Sequence, residues 1–449
     1  MVIQNRIRCL ALLVAAFVLV WFAMGQVTLA ASVSKQSIPD LSEWQGSLSA
    51  TEVKKLKETE PFIILRAQYG SGYADKDFVH NAALCKEYGL KYGAYSYSLY
   101  TSAADAEVEA KDLYDRAPNA SFYVNDYEQQ TVTSGSTNTA TTDWYQELHK
   151  LAPHKRVLFY SYDSFAQKYA ANAMKSYDGY WLASYTSSEP TVSHDLWQYT
   201  DNWYTSSLGQ YVDASKEHVK NTSWFLSAKP IAYGKIVSEK TSGYKIWRNL
   251  MFTASGGETE TSGKTYLAKY YYNHYNGHRY YSLYSGTGKW VGYVNSSAVR
   301  IMAAKAYPHT ATIRQSNYSF WSNFLWTSAK HQTSDYLNQT FDLKYKYERG
   351  NGTVYYSLYR NGIWYGYVNA LATLKPVTIN QTVTITKSGQ TIWENLFFTA
   401  KNGTSELNQS LTAKYAYKDA NGYTYDSLYD GTKWLGYVNT DNLSEEANQ

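Results

Sequence analysis

Two cysteines in 449 residues are too few for a disulfide framework. Cys9 falls inside an N-terminal apolar run, which leaves Cys85 alone. A secreted chain with one thiol has no internal disulfide, which fits an exporter that does not rely on oxidative folding, such as a Gram-positive bacterium. Cys85 closes the helical apolar stretch Asn81-Ala82-Ala83-Leu84-Cys85, so it reads as packing and not as a nucleophile. Histidine is also sparse, at nine. None stands in a His-Glu-x-x-His pattern, and His149 and His154 are five apart, the wrong spacing for one helix face. They read as solvated surface groups, so no metal and no cofactor is expected. No glycine-rich phosphate loop occurs. Beyond the N-terminus no apolar stretch approaches the ~20 residues of a membrane span.

The N-terminus reads as a signal peptide over 1–30. Arg6 and Arg8 supply the charged start, Cys9 to Met24 is apolar and uncharged, and Thr28-Leu29-Ala30 places small residues at −3 and −1. Cleavage after Ala30 leaves a secreted protein with no integral span; an uncleaved anchor is the alternative. Hydrophobic content of 44% with 18% charge describes a globular chain. What is plentiful is aromatic surface: 47 Tyr and 14 Trp, flat apolar faces with a polar tip that suit stacking on sugars. Many of these are expected to be plain strand residues. Charge is split. From residue 227 onward 23 Lys and Arg stand against 14 Asp and Glu, a net of +9, which leaves 19 basic and 24 acidic residues upstream. The acidic half is a poor partner for nucleic acid, whereas the basic half favours a polyanion.

Residues 36–226 alternate strand and helix patterns. Strands are expected at Phe62–Ala67, Tyr92–Tyr97, around Asp126, at Val157–Tyr162 and at Tyr180–Tyr185. Helices are expected at Asp77–Tyr88, Ala103–Asp115 and Asp143–Leu151. Repeated units of this kind imply an α/β domain with a parallel sheet. A full eight-fold barrel needs ~250 residues, so a small or distorted β/α barrel is expected. The second half repeats itself. Ile246-Trp247-Arg248-Asn249-Leu250 recurs as Phe320-Trp321-Ser322-Asn323-Phe324 and Ile392-Trp393-Glu394-Asn395-Leu396. Each unit closes on Trp-x-Gly-Tyr-Val-Asn, at Trp290–Asn295, Trp364–Asn369 and Trp434–Asn439. Short alternating strands around Gly-containing turns read as hairpins. Three small all-β barrels in tandem follow, at 233–302, 308–376 and 380–445, with Trp247, Trp321 and Trp393 expected in their cores.

Phe122-Tyr123-Val124-Asn125-Asp126-Tyr127-Glu128 carries the chemistry. The aromatic, β-branched run reads as a strand, and residues i and i+2 of a strand share a face. Asp126 and Glu128 therefore project side by side. Holding like charges together raises one pKa, the condition a glycosidase uses to keep one carboxyl protonated and one ionised. Alone the pattern is weak, since Asp-x-Glu is common on solvated strand ends. Asp40 at the end of the first strand and Asp213 near the domain's close add two acids. Carboxylates at the ends of separate parallel strands converge at one mouth. Tyr95, Tyr97, Tyr160, Trp181, Tyr185 and Trp197 are candidates for a sugar groove, with Arg66 beside them.

These residues resemble glycoside hydrolase family 25, the muramidases of the Chalaropsis-lysozyme type. The matching stretches are Asp40-Leu-Ser-Glu-Trp-Gln-Gly46, Leu65-Arg-Ala-Gln-Tyr-Gly-Ser71, Asp75 with Phe78 and Asn81, and Gly89-Leu-Lys-Tyr-Gly-Ala-Tyr95. Asp126-x-Glu128, Trp197-Gln-Tyr-Thr200 and Val212-Asp213 complete the order. The resemblance implies cleavage of the β-1,4 bond between N-acetylmuramic acid and N-acetylglucosamine in the peptidoglycan glycan strand. It implies Glu128 as general acid, with its companions ionised. Asp126 is its partner, orienting the substrate N-acetyl group or acting as base or nucleophile, and Asp40 and Asp213 are flanking carboxylates. Ala214-Ser215 after Asp213 departs from the family's usual Leu-Asn. Neighbours on one strand reach retaining or inverting separations by rotamer choice, so the stereochemical course stays open. The C-terminal units are similar to GW modules, Src-homology-3-like barrels of Gram-positive surface proteins, with Tyr at the second position of the Gly-Trp signature. That resemblance implies attachment to the cell wall, often through lipoteichoic acid. The expectation is a secreted, wall-associated autolysin-like enzyme; a wall-bound adhesin with a dead barrel and a chitin-cleaving enzyme are the rivals.

Overall fold

The computed structural model describes residues 37–374, 376–394, 396, 398, 401–418 and 423–445. The signal peptide expected at 1–30 and Asn395 of the third repeat lie outside the described residues. The chain divides into two compact units. The first takes in the described residues up to Leu151 with Val157–Lys220, and the second takes in Ala152–Arg156 with Asn221 onward.

The first unit runs β1 (Ile38–Leu41), α1 (Ala50–Thr59), β2 (Ile63–Tyr69), β3 (Tyr73–Ala74), α2 (Phe78–Tyr88) and β4 (Tyr92–Tyr97). It continues with α3 (Ala103–Arg116), β5 (Phe122–Asp126), α4 (Thr137–Leu151), β6 (Arg156–Tyr162), α5 (Asp163–Tyr169), β7 (Gly179–Ala183), β8 (Leu196–Thr205) and β9 (Gln210–Glu217). The sheet order is β1-β9-β8-β7-β6-β5-β4-β2-β3, and β1 also pairs with β2. That extra pairing closes the sheet on itself and removes its edges. β1 is parallel to β2 but antiparallel to β9, and β9 is antiparallel to β8. No α-helix separates β7 from β8 or β8 from β9. The barrel is thus mixed and short of helices, the distortion expected from its length.

Local sequence accounts for the elements. Ser49 caps α1 and exchanges hydrogen bonds with Glu52, a reciprocal box that satisfies two free helix donors. Ser102 caps α3 by accepting the Asp105 backbone N–H, without the reciprocal bond. Strands β2, β5 and β6 are buried almost along their whole length, as strands covered on both faces must be. Gly93 on β4 admits the ring of Phe122, since a Cβ there would stand 2.3 Å from it. Helix α4 starts at Thr137, six residues before the expected Asp143, because polar residues that carry no apolar period still bury Ala140 and Thr141.

The second unit holds three antiparallel sheets in tandem, of seven, six and seven strands. Each sheet encloses its own core: Val237, Ala268, Leu283 and Val294 in the first, Phe320, Phe341, Leu358 and Val368 in the second, Val383, Leu411, Leu428 and Val438 in the third. The repeated residues do the same work three times. Trp247, Trp321 and Trp393 pair with Tyr293, Tyr367 and Tyr437. The glycine before each tyrosine has φ of 145°, 141° and 130°. A Cβ on it would lie 2.7, 3.0 or 2.6 Å from the carbonyl oxygen of that same tryptophan, so no other residue fits. The closing Asn295, Asn369 and Asn439 each accept a backbone N–H two residues on, capping a short 3₁₀ turn. The tryptophans themselves are half-buried, contrary to the expected core placement. Strand alternation turns the preceding Ile246, Phe320 and Ile392 inward instead. Among the described residues no helix is long and apolar enough to cross a membrane.

Candidate active site

Asp126 ends β5 and Glu128 follows two residues later. Between them Tyr127 points the other way, fully buried and stacked on Tyr100 at 4.7 Å. The period of two thus holds past the strand's last residue and aims both carboxyls into one cleft. The backbone there is fastened on both sides: Ser98 donates its N–H to the Asp126 carbonyl at 2.7 Å, and Tyr127 donates to the Tyr160 carbonyl at 3.1 Å.

Asp40 on β1 stands directly opposite Asp213 on β9. Facing positions of an antiparallel pair bring Cβ atoms to about 5 Å, a costly place for two like charges. Gln198 of β8 bridges them. Its Nε2 donates to Asp40 Oδ2 at 3.1 Å and to Asp213 Oδ2 at 3.4 Å. Its Oε1 accepts from the hydroxyls of Tyr160 at 2.6 Å and Tyr185 at 2.8 Å. One amide therefore orders two acids and two phenols.

The cleft has a volume of about 500 Å³ and brings together Asp40, Asp126, Glu128, Asp213, Arg66, Tyr95, Tyr97, Tyr160, Trp181 and Tyr185. Trp197 is not among its walls. It adjoins Gln198 on one strand, so the two face opposite sides, and its Nε1 donates to the Ser184 carbonyl at 2.7 Å. Arg66 lines the cleft but is engaged: its Nε donates to Asp75 at 2.9 Å and its guanidinium pairs with Glu43 at 2.9 Å. It serves as a buried brace for the segment that carries Trp44, together with Asn81, which accepts from Leu48 N and donates to Gly46 O.

Sequence reasoning missed Gln198, Tyr69, Tyr162 and Trp44 as cleft residues. Tyr162 was within reach, since it lies two residues from Tyr160. Tyr69 was not: a register shift between Arg66 and Gln68 changes the alternation, so residues three apart share a face. Tyr69 then stacks on Tyr97 at 4.7 Å. Trp44 is 80% exposed at the cleft's edge, open to stacking on a sugar.

Electrostatics differ from expectation. Burial raises the pKa of all four acids. Asp40 lies well above the usual carboxylate range, from burial and then the Asp213 charge. Asp126 does as well, from burial and then Glu128 and Asp40. Asp213 is pushed up to about 6, chiefly by burial. Glu128 is raised by burial, while hydrogen bonds from Asp126 and Tyr162 work against the rise. Burial thus favours a proton on the Asp126–Glu128 pair and raises Asp40 and Asp213 beside it, so the companions of Glu128 are not simply bare. Asp126 Oδ1 is buried with no protein partner, a lone pair reserved for something that enters the cleft.

No curated protein matches the chain. Among solved structures, the chain is similar to the catalytic domain of endolysin ply40 from bacteriophage P40 of Listeria monocytogenes, at 24% identity and a TM-score of 0.38, covering 41% of this chain and 94% of that one. It is similar to the modular autolysin LytC of Streptococcus pneumoniae at 25% identity and a TM-score of 0.34, covering 40% of this chain and 46% of that one. It is similar to the lysozyme of Streptomyces coelicolor at 23% identity and a TM-score of 0.34, covering 41% and 92%. The family model described as Glycosyl hydrolases family 25 matches residues 39–208, a span that holds Asp40, Asp126, Glu128 and Gln198. Residues 39–208 therefore carry a glycosyl hydrolase family 25 domain.

Proposed function

We propose that the protein hydrolyses the β-1,4 bond between N-acetylmuramic acid and N-acetylglucosamine of peptidoglycan, outside the cell and while held on the wall by residues 233–449. The observation that carries the enzymatic reading is the Asp126–Glu128 pair, side by side inside a cleft of acids and tyrosines. Glu128 is the less buried of the two and sits nearer the mouth. It is the general acid. The proton that the pair shares passes through Glu128 to the departing glycosidic oxygen as the C–O bond breaks. The pair then gains a negative charge while the sugar ring develops a positive one. The attraction between them is thus stronger in the transition state than before it. Asp126, with its unpartnered oxygen, receives a polar group of the substrate or a water. Asp40 and Asp213, held by Gln198, set the negative field of the cleft, and Trp44, Tyr69 and Tyr97 supply faces for sugar rings.

The tail reading rests on its charge and its repetition. At equivalent positions of the three repeats Lys269 lies over Tyr284 at 5.5 Å, Lys344 over Tyr359 at 4.2 Å and Lys414 over Tyr429 at 4.1 Å. A ladder of cations on aromatic faces in Src-homology-3-like, GW-related modules suits an anionic wall polymer such as lipoteichoic acid. Three weak sites in tandem gain by effective concentration. The domains proposed are a catalytic one at 36–226 and repeats at 233–302, 308–376 and 380–445.

Clearing of cell-wall suspensions tests the first reading. Wild type lowers turbidity and Glu128→Gln does not; equal clearing by both removes the mechanism. Product analysis must show muramic acid at the new reducing end, because N-acetylglucosamine there would point to another bond.

A further inference from the structure

Away from the cleft, Glu189, His194 and His218 turn three ligand atoms toward one point, all within 4.8 Å of one another. We propose that they form a binding site for a divalent transition metal ion, zinc above all. Glu189 and His194 are five residues apart and match no metal motif, and folding brings His218 to them from 24 residues further on. His194 lies two residues before β8, and His218 immediately follows β9. The antiparallel ladder of these strands pairs Leu196 with Glu217, and His218 then donates its N–H to the Asp195 carbonyl at 3.1 Å. That register stacks the two imidazoles, with ring centres 4.4 Å apart. Glu189 comes from the segment that joins β7 to β8.

The tautomer follows from the partners. His194 Nδ1 lies 2.6 Å from the Val192 carbonyl, which only accepts, so Nδ1 carries the hydrogen. That leaves Nε2 facing Glu189 Oε1, 3.2 Å away. His218 Nδ1 meets the same oxygen at 2.5 Å. The three atoms thus converge with both imidazole nitrogens facing one carboxylate oxygen, a contact that a proton on Nε2 or a metal cation among the three atoms satisfies. A ring N–H donated to a backbone carbonyl while the other nitrogen faces outward is also how metal-bound histidines are oriented. Two imidazoles and a carboxylate match the donor set of zinc, with bonds of about 2.0–2.2 Å and a fourth position left for water. Around such an ion the donors stand about 3.3 Å apart, from those bond lengths at tetrahedral angles. The Glu189 oxygen already lies 3.2 and 2.5 Å from the two nitrogens, so its half-exposed side chain draws back from His218 while the imidazole nitrogens close on the ion.

The ion would join the β7–β8 segment to the end of β9. That segment begins at Ser184 and Tyr185, and Tyr185 holds Gln198 at the cleft. The site is a clamp on one wall of the cleft and takes no part in bond cleavage.

The test uses the full chain without a polyhistidine tag, stripped of metal by chelator dialysis. Calorimetric titration with zinc chloride is expected to give one ion per chain with Kd at or below the micromolar range. Thermal melts are expected to rise by several degrees at 100-fold excess of zinc over Kd. Both effects weaken at least ten-fold in His218→Ala and in Glu189→Gln. The second variant keeps the side chain's shape, so it guards against a folding defect in the first. No saturable zinc binding by wild type, or binding unchanged in both variants, overturns the proposal.

Discussion

Asp213→Asn is expected to stabilise the protein at neutral pH and to leave it unchanged in acid. Burial raises the Asp213 pKa from 3.8 to about 6. A carboxyl with a raised folded-state pKa favours the fold in its protonated form. Its contribution is complete below pH 3.8 and is lost as pH climbs through about 6. At pH 7 the full displacement corresponds to about 3 kcal/mol against the fold. The side chain is partly open to water, so screening reduces this to about 1–2 kcal/mol. Asparagine removes the charge and keeps an oxygen for the Gln198 amide, which sits 3.4 Å away. The melting temperature of the catalytic transition should therefore rise by about 3–6 °C at pH 7 and by about 0–1 °C at pH 4. Calorimetric scans of the full chain at pH 4, 5.5 and 7 read this, with the tail's transitions as an internal reference. A gain of equal size at pH 4 and pH 7 would refute the argument, because it would owe nothing to ionisation. Destabilisation at pH 7 would refute it as well.

Other outcomes follow from the same geometry. Asp126→Asn should lower wall hydrolysis by about 10²–10⁴-fold while leaving the melting temperature close to that of wild type, since the amide keeps the size of a deeply buried acid; lost activity with lost stability would mean a structural role. Gln198→Leu deletes the donor that holds the Asp40 pKa down, so the acid limb of the kcat/KM profile should move to higher pH; a limb that stays put shows that the amide does not control Asp40. Gly292→Ala places a Cβ 2.7 Å from the Trp247 carbonyl at a φ of 145°, and should cost the first repeat about 2 kcal/mol or more, read as protease cleavage confined to that repeat. Residues 233–449 alone should bind purified walls and release as salt rises through about 0.5 M, whereas binding indifferent to salt would exclude the charge argument.

Much of the site is legible in local periodicity. Asp126 and Glu128 share a face because strands repeat every two residues, and the same rule would have exposed Tyr162 from Tyr160. Gln198 and Trp197 show where that rule stops. Alternation says that one of the two faces the cleft but not which, and the aromatic was the wrong choice. Tyr69 shows a second limit, since a bulge resets the alternation and leaves no mark in composition. In the repeats, recurrence placed the strands and turns correctly, yet the inward residue is the one before each tryptophan.

The order of residues by itself determined the acid pair, the helix caps, and the glycine and asparagine of each repeat, because those depend on backbone geometry over a few positions. Only the tertiary structure decided that β1 pairs with both β2 and β9. That closure sets Asp40 against Asp213 and brings Gln198 between them. Folding also buries Asp126 more deeply than Glu128, and burial in a low-dielectric cleft is what raises both acids.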